Sequence, residues 1–437
     1  MQDVRPQRTA ALRTISAAAL LERCNNTHHQ DNDDDGVLRL DALVRFRRRT
    51  RQNPVSFVDF IQALRNGKTN KITQVLCFPS MALGIRQDEW HQIVRTFGHM
   101  KHLQCLSFPP GYGGFNAIAA DALAETVEQS TSIRSLELTE TVVIVGSLNE
   151  LQRFARAVAS SRLDNFVCDC IFRFNGQPLA RQVVITEGIL LCSTLESLSF
   201  RDHLHQLSAN DTTRLISNLP RLKQLRLYTS HWESLGEALA NNDTIEVMEI
   251  TDHDVDPDAF CACMDSLQKN KKMRRLTLRI RQGFKSDRMK ESLGSLLEYN
   301  QTLEHFSLCD TIDGMSPPPS RCFTHFDFAL LAASIGKNGL VQVDVDGLGS
   351  YSHDDDREYM CRYRQQLEVE NKLNEIGRRM LCREMGARAK WVEALLRLAT
   401  GDAPAFERDS YFLVDESLYR TQCFFAFFRM NPSLFDC

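Results

Sequence analysis

No apolar run among the 437 residues approaches the ~18 that a membrane-spanning helix needs, so no membrane span is expected. Charge of one sign is also scarce: 52 Lys and Arg stand against 56 Asp and Glu, a formal net charge of −4. That balance supplies no basic field for nucleic acid or for an anionic lipid surface, and neither is expected as a partner. Catalytic signatures are missing too. There is no nucleophile elbow, phosphate-binding loop, dinucleotide glycine fingerprint or zinc-protease helix. The sequence therefore assigns no catalytic residue and no cofactor.

A secretory leader is not expected either. Arg5, Arg8 and Arg13 precede a short apolar segment, Ile15-Ser-Ala-Ala-Ala-Leu-Leu21, and Glu22 and Arg23 follow at once. The spacing of Ala10, Leu12, Ile15, Ala19, Leu20 and Leu21 predicts an amphipathic helix over residues 1–24, with an organelle transit peptide as the alternative. Without an oxidising compartment, the 14 cysteines are expected to be thiols in a cytoplasmic protein. Cys77, Cys105, Cys168, Cys170 and Cys309 lie in or beside apolar segments where small thiols pack well. Cys168-x-Cys170 and Cys261-x-Cys263 have neither the two-residue spacing nor the second pair of a zinc knuckle.

What is present is a repeated phrase, apolar-x-x-apolar-x-apolar. It is clearest in Leu222-Lys-Gln-Leu225-Arg-Leu227, Ile245-Glu-Val-Met248-Glu-Ile250, Met273-Arg-Arg-Leu276-Thr-Leu278 and Leu303-Glu-His-Phe306-Ser-Leu308. The last three follow polar turns that open with Asn242, Asn270 and Asn300. The hexads begin at Ile72, Leu103, Ile133, Leu163, Leu195, Leu222, Ile245, Met273, Leu303 and Leu340, 23 to 37 residues apart. Between them lie segments of helical period: residues 117–129, 150–160, 233–241 and 287–299, with Leu123 and Val127, Leu151 and Phe154, Leu235 and Leu239, and Met289 and Leu293 on their apolar faces. A unit of one strand and one helix cannot bury its faces alone, so neighbours must stack. Strand alternating with helix forces the strands to be parallel.

These hexads and their spacing resemble the ribonuclease-inhibitor-like class of leucine-rich repeats over about residues 37–345. The resemblance implies an α/β, right-handed solenoid (a horseshoe) with parallel strands on the concave side, helices on the convex side and helical caps. Leu163-Asp-Asn-Phe166-Val-Cys168 departs from the phrase, and the Asn or Cys usual just after the hexad is mostly absent. Leu373-Asn-Glu-Ile-Gly-Arg-Arg379 and Phe428-Arg-Met-Asn-Pro-Ser-Leu434 are similar to the C-terminal segments of uncharacterised algal repeat proteins. The expected organisation is an N-terminal helix and acidic loop over 1–36, an array of about ten repeats over 37–349 and a helical cap over 350–437. Helices are expected at 56–64 and, in the cap, at 358–380, 388–398 and 410–428; the phenylalanines Phe424, Phe425, Phe427 and Phe428 would close the last repeat.

Three connections exceed what a repeat needs: Pro109-Pro-Gly-Tyr-Gly-Gly114, residues 173–181, and residues 310–325 with Pro317, Pro318 and Pro319. They are read either as a binding rim or as tolerated length variation. Asp31-x-Asp33-x-Asp35-Gly36 matches the first half of a calcium loop, but Ala42 stands where calcium needs a bidentate Glu. It is read as an acidic turn leading into a strand at Val37, with no metal site assigned and a calcium-responsive loop as the alternative. Asp252, Asp254, Asp256 and Asp258 flank the helix that starts at Pro257 and are read as capping its free amides. His91, next to Trp90, and the pair His203-x-His205 are read as isolated surface histidines without a ligand role.

Strand alternation places Arg226, Tyr228, Glu249, Arg275 and Arg279 outward on neighbouring strands, together with Glu137, Thr139, Ser199, Thr251, Thr277, His305, Ser307, Gln342 and Asp344. Ten strands at ~4.8 Å make an inner arc on the order of 43 Å, a length suited to a protein partner. The expected function is a non-catalytic, monomeric scaffold that binds a protein partner through Arg226, Tyr228, Glu249, Arg275 and Arg279 or through the loop rim. The alternative implied by the repeat class is an enzyme regulator such as a GTPase activator, for which Arg201 and Arg281 are available. The cysteine reading yields a direct expectation. Alkylation of the freshly isolated chain under denaturing, non-reducing conditions modifies all 14 thiols by mass spectrometry. Recovery of protected pairs would place the chain in an oxidising compartment.

Overall fold

The computed structural model describes residues 37–39, 72–77, 87–109, 116–174, 177–200, 207–252, 255–280, 286–309, 334, 342–346 and 371. The helices expected at 1–24, 56–64, 358–380, 388–398 and 410–428, the acidic loop with Asp31, Asp33 and Asp35, and the insert at 310–325 lie outside the described residues. The chain divides into two compact units, Met1–His205 with Asn218–Leu222, and Gln206–Ser217 with Lys223–Cys437.

The first unit contains β1 (Val37–Arg39), β2 (Gln74–Leu76), β3 (Cys105–Phe108), β4 (Asn116–Ala119), β5 (Ser135–Ile144), β6 (Asn165–Arg173) and β7 (Ser197–Phe200). They pair in the order β1-β2-β3-β5-β6-β7, with β4 against the later half of β5, and every pair is parallel. Between the strands run α1 (Gln87–Phe97), α2 (Ala120–Gln129), α3 (Leu148–Ser160) and α4 (Gln177–Val183). A π-helical turn at Val184–Gly188 and a 3-10 turn at Ile189–Leu191 continue α4. In the second unit, β8 (Gln224–Tyr228), β9 (Val247–Asp252), β10 (Arg275–Ile280), β11 (His305–Cys309) and β12 (Gln342–Asp346) follow one another in chain order, again parallel. Its helices are α5 (Ala209–Asn218), α6 (Trp232–Ala240), α7 (Pro257–Leu267) and α8 (Asp287–Tyr299). Strand, helix and polar turn recur as leucine-rich repeats.

The hexads explain the core. In the second unit Leu225, Leu227, Met248, Ile250, Leu276, Leu278, Phe306 and Leu308 are all buried, and so are Ile245, Met273 and Leu303 ahead of them. Fully burying such a side chain contributes on the order of 2 kcal/mol. The helices bury Leu235 and Leu239, Phe260 and Met264, and Met289, Leu293, Leu296 and Leu297 against the same layer. Gly236 permits the closest approach: a Cβ there would meet the Cys263 backbone at 2.6 Å, so α6 and α7 pack with a glycine and a small thiol at their contact. Cys77, Cys168, Cys170, Cys192, Cys261 and Cys263 are buried thiols.

The backbone joins one repeat to the next just before each strand. The Gln104 carbonyl accepts from the amides of Arg134 and Ser135; that of Arg134 accepts from Asp164 and Asn165, and that of Asp164 from Glu196 and Ser197. In the second unit Lys223, Glu246 and Arg274 do the same for the pairs 246–247, 274–275 and 304–305. The asparagines of the polar turns add a side-chain ladder. Asn242, Asn270 and Asn300 each donate back to a helix-end carbonyl of the preceding repeat (Ile216, Leu239 and Leu267, at 2.9, 2.5 and 2.9 Å). Each also accepts from the first amide of the coming hexad (Ile245, Met273 and Leu303, at 2.7, 2.7 and 2.8 Å). In the first unit Ser130, Ser161 and Thr194 serve the corresponding turns.

Several expectations are corrected. Residues Ala117 and Ile118, read as the start of a helix, belong to β4. There they pair with Val142 and Val143, because the β-branched end of β5 offers a strand edge that outweighs alanine's helix propensity. The phrase at Leu163, irregular in sequence, is regular in register, with Asn165 opposite Ser135; the one irregularity of that strand pair is a bulge between Thr139 and Thr141. Of the four aspartates at 252–258, Asp256 caps α7 through the amides of Asp258 and Ala259 at 2.9 and 3.0 Å, whereas Asp252 is buried and accepts from the Trp232 indole at 2.6 Å. Asp254 lies outside the described residues. Trp90 is fully buried, edge-on to Phe108. Half-buried His91 accepts from the Ala119 amide at 3.1 Å, and burial holds its pKa down, which keeps the imidazole neutral for that bond.

The register makes Leu276 a core residue. Leu276→Ala is expected to cost ~2–5 kcal/mol and to lower the thermal midpoint measured by circular dichroism. An unchanged midpoint would contradict the burial of that strand face.

Candidate functional site

Alternation along each strand buries the hexad leucines and sends the intervening residues to the face away from the helices. On β8, β9 and β10 the register sets these residues in three rows. Gln224, Val247 and Arg275 lie across the first, Arg226, Glu249 and Thr277 across the second, Tyr228, Thr251 and Arg279 across the third. Glu249 stands at the centre. Its Oε2 lies 2.7 Å from Nε of Arg226 and its Oε1 2.7 Å from Nε of Arg279. One carboxylate thus holds two guanidiniums from flanking strands. Its side chain is 11% exposed, against 45% for Arg226 and 28% for Arg279.

All five residues expected to form a partner surface therefore fall in one grid, though not with equal access. Arg226 and Arg275 are exposed, and Arg279 is half-buried. Tyr228 is only 6% exposed, and Glu249 is buried between its two arginines. Tyr228 is thus corrected from an exposed aromatic to a buried one, since alternation fixes the face a side chain is on and not its access to solvent. Thr251, between Tyr228 and Arg279 in the third row, is 3% exposed, and its hydroxyl has no hydrogen-bond partner among the described residues. Arg226 and Arg275 are thus the two exposed arginines of the grid.

The leading edge of the same strands carries paired charges. Lys272 meets Glu246 at 3.0 Å and Arg274 meets Glu304 at 2.6 Å. Lys272, with Arg274 and Lys223 beyond it, holds the Glu246 carboxyl below its ordinary range. On the helix side of the first unit, Asp121 is shared by Arg95 at 3.0 Å and Arg153 at 2.5 Å, and Glu128 takes the other side of Arg153. Those cations are matched by their own carboxylates.

The corresponding strand face of the first unit is a hydrogen-bonded polar row. Glu137 accepts from Ser135 at 3.2 Å, from Asn165 at 3.4 Å and from the Cys105 thiol at 3.9 Å. Beyond them Asp169, buried, accepts from Ser199 at 2.9 Å. Burial, then the charge of Glu137, pushes the Cys105 thiol up to about 11. A thiol held protonated in this way is a poor nucleophile near neutral pH. Sequence alternation placed Glu137, Thr139 and Ser199 outward but missed Asp169, which pairs with Thr139 beside the bulge.

Other expected positions contribute less. His305 and Ser307 are half-buried on β11, while the side chains of Gln342 and Asp344 on β12 lie outside the described residues, as do Arg201, Arg281, His203 and His205. Among the described residues, no helix is long and apolar enough to cross a membrane, and no three His, Cys, Asp or Glu side chains group as a metal site.

No protein family and no curated protein matches the chain. Among solved structures, the leiomodin-1 actin-binding site 2 (ABS2) matches at 12% identity with a TM-score of 0.28, over 41% of this chain and 100% of that one. The crystal structure of the TLR13–ssRNA13 complex matches at 11% identity with a TM-score of 0.31, over 58% of this chain but only 37% of the other. The repeat assignment rests on the strand register, the buried hexads and the backbone joints between repeats.

The environment of Cys105 is open to measurement. At pH 8 its thiolate fraction should be roughly a hundredfold below that of an ordinary thiol. Iodoacetamide should therefore label it at least tenfold more slowly in the folded chain than after denaturation, followed by peptide mass spectrometry. Equal rates would show that Glu137 and burial do not hold the proton.

Proposed function

We propose that this leucine-rich-repeat protein is a non-catalytic scaffold whose open strand face, the concave side expected of such repeats, binds a protein partner through the grid on β8, β9 and β10. The observation that carries the reading is the pair of exposed arginines there, Arg226 and Arg275. Arg226 is oriented by a buried carboxylate, and Arg275 is exposed with no ion pair among the described residues. Arginine anchors held in place beforehand lose little side-chain entropy on binding and recognise carboxylates and phosphates through two N–H groups at once. Tyr228, being buried, contributes packing and not an exposed contact.

The partner is a protein, because an open strand face suits an extended surface better than it suits a small metabolite. The repeat stack itself works as a monomer in a reducing compartment, the cytoplasm, where buried thiols such as Cys168 and Cys263 remain reduced. Neither nucleic acid nor a membrane surface is the partner. The raised pKa of Cys105 speaks for binding over nucleophilic chemistry on the strand face of the first unit.

Arg226→Gln combined with Arg275→Glu should leave the fold intact, because both side chains are exposed and Glu249 keeps its bond to Arg279. It should weaken binding of the principal partner at least tenfold, about 1.4 kcal/mol. The measurement is quantitative capture of the partner by wild type and by the double variant, with circular dichroism on both. Equal capture by a folded double variant would exclude the grid.

A further inference from the structure

We infer that the grid takes an acidic segment of its partner, extended and lying across the strands, with two carboxylates meeting Arg226 and Arg275. The inference rests on the open strand face being the protein-binding surface.

Access to the grid falls along the strands. In the first row, which β11 continues with His305, Gln224 and Arg275 are exposed, and Val247 and His305 are half-buried. In the second, which continues to Ser307, Arg226 is exposed, Thr277 and Ser307 are half-buried, and Glu249 is buried. In the third, Tyr228 and Thr251 are only 6% and 3% exposed. A partner can therefore reach a strip two rows wide over four strands. The rows are two residues apart, about 7 Å, and four strands span about 14 Å from first to last. A helix with its side chains is about 10–12 Å across, wider than the strip. An extended chain fits. Running across the strands, it pairs with none of them and is held by side chains alone.

Arginine sets the charge of this strip. Arg275 has no ion pair among the described residues, and the Arg226 side chain is 45% exposed although its Nε meets Glu249 at 2.7 Å. No exposed carboxylate shares the two rows on these four strands. Guanidiniums bind carboxylates through two parallel N–H···O bonds, so both arginines suit an acidic side chain. Their spacing says which ones. Strands β8 and β10 are two strand spacings apart, about 10 Å, and the arginines are one row apart, about 7 Å, which puts their Cα atoms about 12 Å from each other. On an extended chain, side chains two or four residues apart share a face, at about 7 and 13 Å. The larger spacing matches. The segment expected is acidic at positions i and i+4. Its residue at i+2 falls over Val247 and Glu249 of β9, a place that suits an apolar side chain and repels a third carboxylate.

The test is selection of a random-peptide display library on the immobilised full chain, followed by fluorescence polarisation titration of the enriched peptides. Enriched sequences should carry Asp or Glu four residues apart. Replacing both acids by their amides should weaken binding at least tenfold, while prolines placed between them, which a helix does not tolerate, should leave it within about threefold. Arg226→Gln and Arg275→Gln should each weaken binding at least fivefold. Lys269→Gln, which removes an exposed cation just past α7, should leave it unchanged. Gln224→Lys adds a cation to the first row and should tighten binding, a gain that no folding defect produces. Enrichment of basic or aromatic sequences, no enrichment at all, loss of binding with the prolines, or equal binding of a single-stranded oligonucleotide of the same charge would overturn the inference. Partner capture that depends on Arg226 and Arg275 without an acidic motif leaves the protein-binding face standing and removes the acidic segment. Acidic peptides indifferent to both arginines remove the face as well.

Discussion

The structure depends on the carbonyl that closes each repeat. In every joint one backbone oxygen just ahead of a strand accepts from two successive amides of the next repeat, as Arg134 does for Asp164 and Asn165, and Glu246 does for Arg274 and Arg275. This bond pair fixes the register before the strand begins. A slip of one residue would turn Leu276 and Leu278 outward and Thr277 inward, and every hexad would lose its burial together. The hydrophobic phrase and the backbone joint therefore specify the same register by independent physics. The asparagine ladder locks the helix end to the same place. Asn270 and Asn300 are almost wholly buried, and each satisfies orphan carbonyls of one repeat and amides of the next. Losing such a side chain would strand buried polar groups on both sides, at a cost of about 1–3 kcal/mol for each group left unsatisfied.

Register also determines electrostatics. Because Arg226, Glu249 and Thr277 share a row, a carboxylate from the middle strand lies between cations from its two neighbours. Withdrawing Glu249 from water is unfavourable by itself. Two charge-assisted bonds of 2.7 Å offset that cost and leave Arg226 and Arg279 partly open to solvent. The leading edge uses the opposite arrangement, with Lys272–Glu246 and Arg274–Glu304 pairing charges of neighbouring repeats one to one. Exposed pairs of that kind contribute ~0–1 kcal/mol each and serve mainly to keep the edge polar and near neutral.

Much of this was legible in the sequence, for reasons that show where such reading stops. The hexads and the 3–4 spacing of the helices report local periodicity, and the structure returns α8 at Asp287–Tyr299 and the burial of Leu225, Leu227, Leu276 and Leu278 as read. The cap at Asp256 is local too, since a carboxylate two residues ahead of free amides reaches them wherever the helix packs. What escaped is non-local. Strand β4 exists because β5 runs on through Val142 and Val143 and offers an edge, which no window around Ala117 reveals. Asp252 is buried because Trp232, 20 residues earlier, brings an indole N–H to it. The grid residues were placed on the correct face by period-two alternation, but the burial of Tyr228 and the sharing of Glu249 between two strands are consequences of neighbours. The asparagines were visible as turn residues; their role as rungs required knowing that carbonyls from the preceding repeat end beside them.

The two units solve the same turn with different chemistry, and the difference bears on what each strand face can do. Asparagine carries a donor and an acceptor, so one side chain bridges two repeats; a serine such as Ser130 or Ser161 supplies a single short hydroxyl and leaves more of the linkage to the backbone. The second unit, with the bridging asparagines, bears the arginine grid, and the first unit bears the uncharged row of Cys105, Ser135 and Asn165 around Glu137. Presenting like charges on neighbouring strands adds repulsion that the repeat joints must withstand, since Arg226, Arg275 and Arg279 gain nothing from one another. A repeat stack pinned by both backbone and asparagine side chains tolerates that repulsion without slipping register. The arginine grid sits on the unit whose turns carry bridging asparagines, and the hydrogen-bonded polar row on the unit whose turns use hydroxyls.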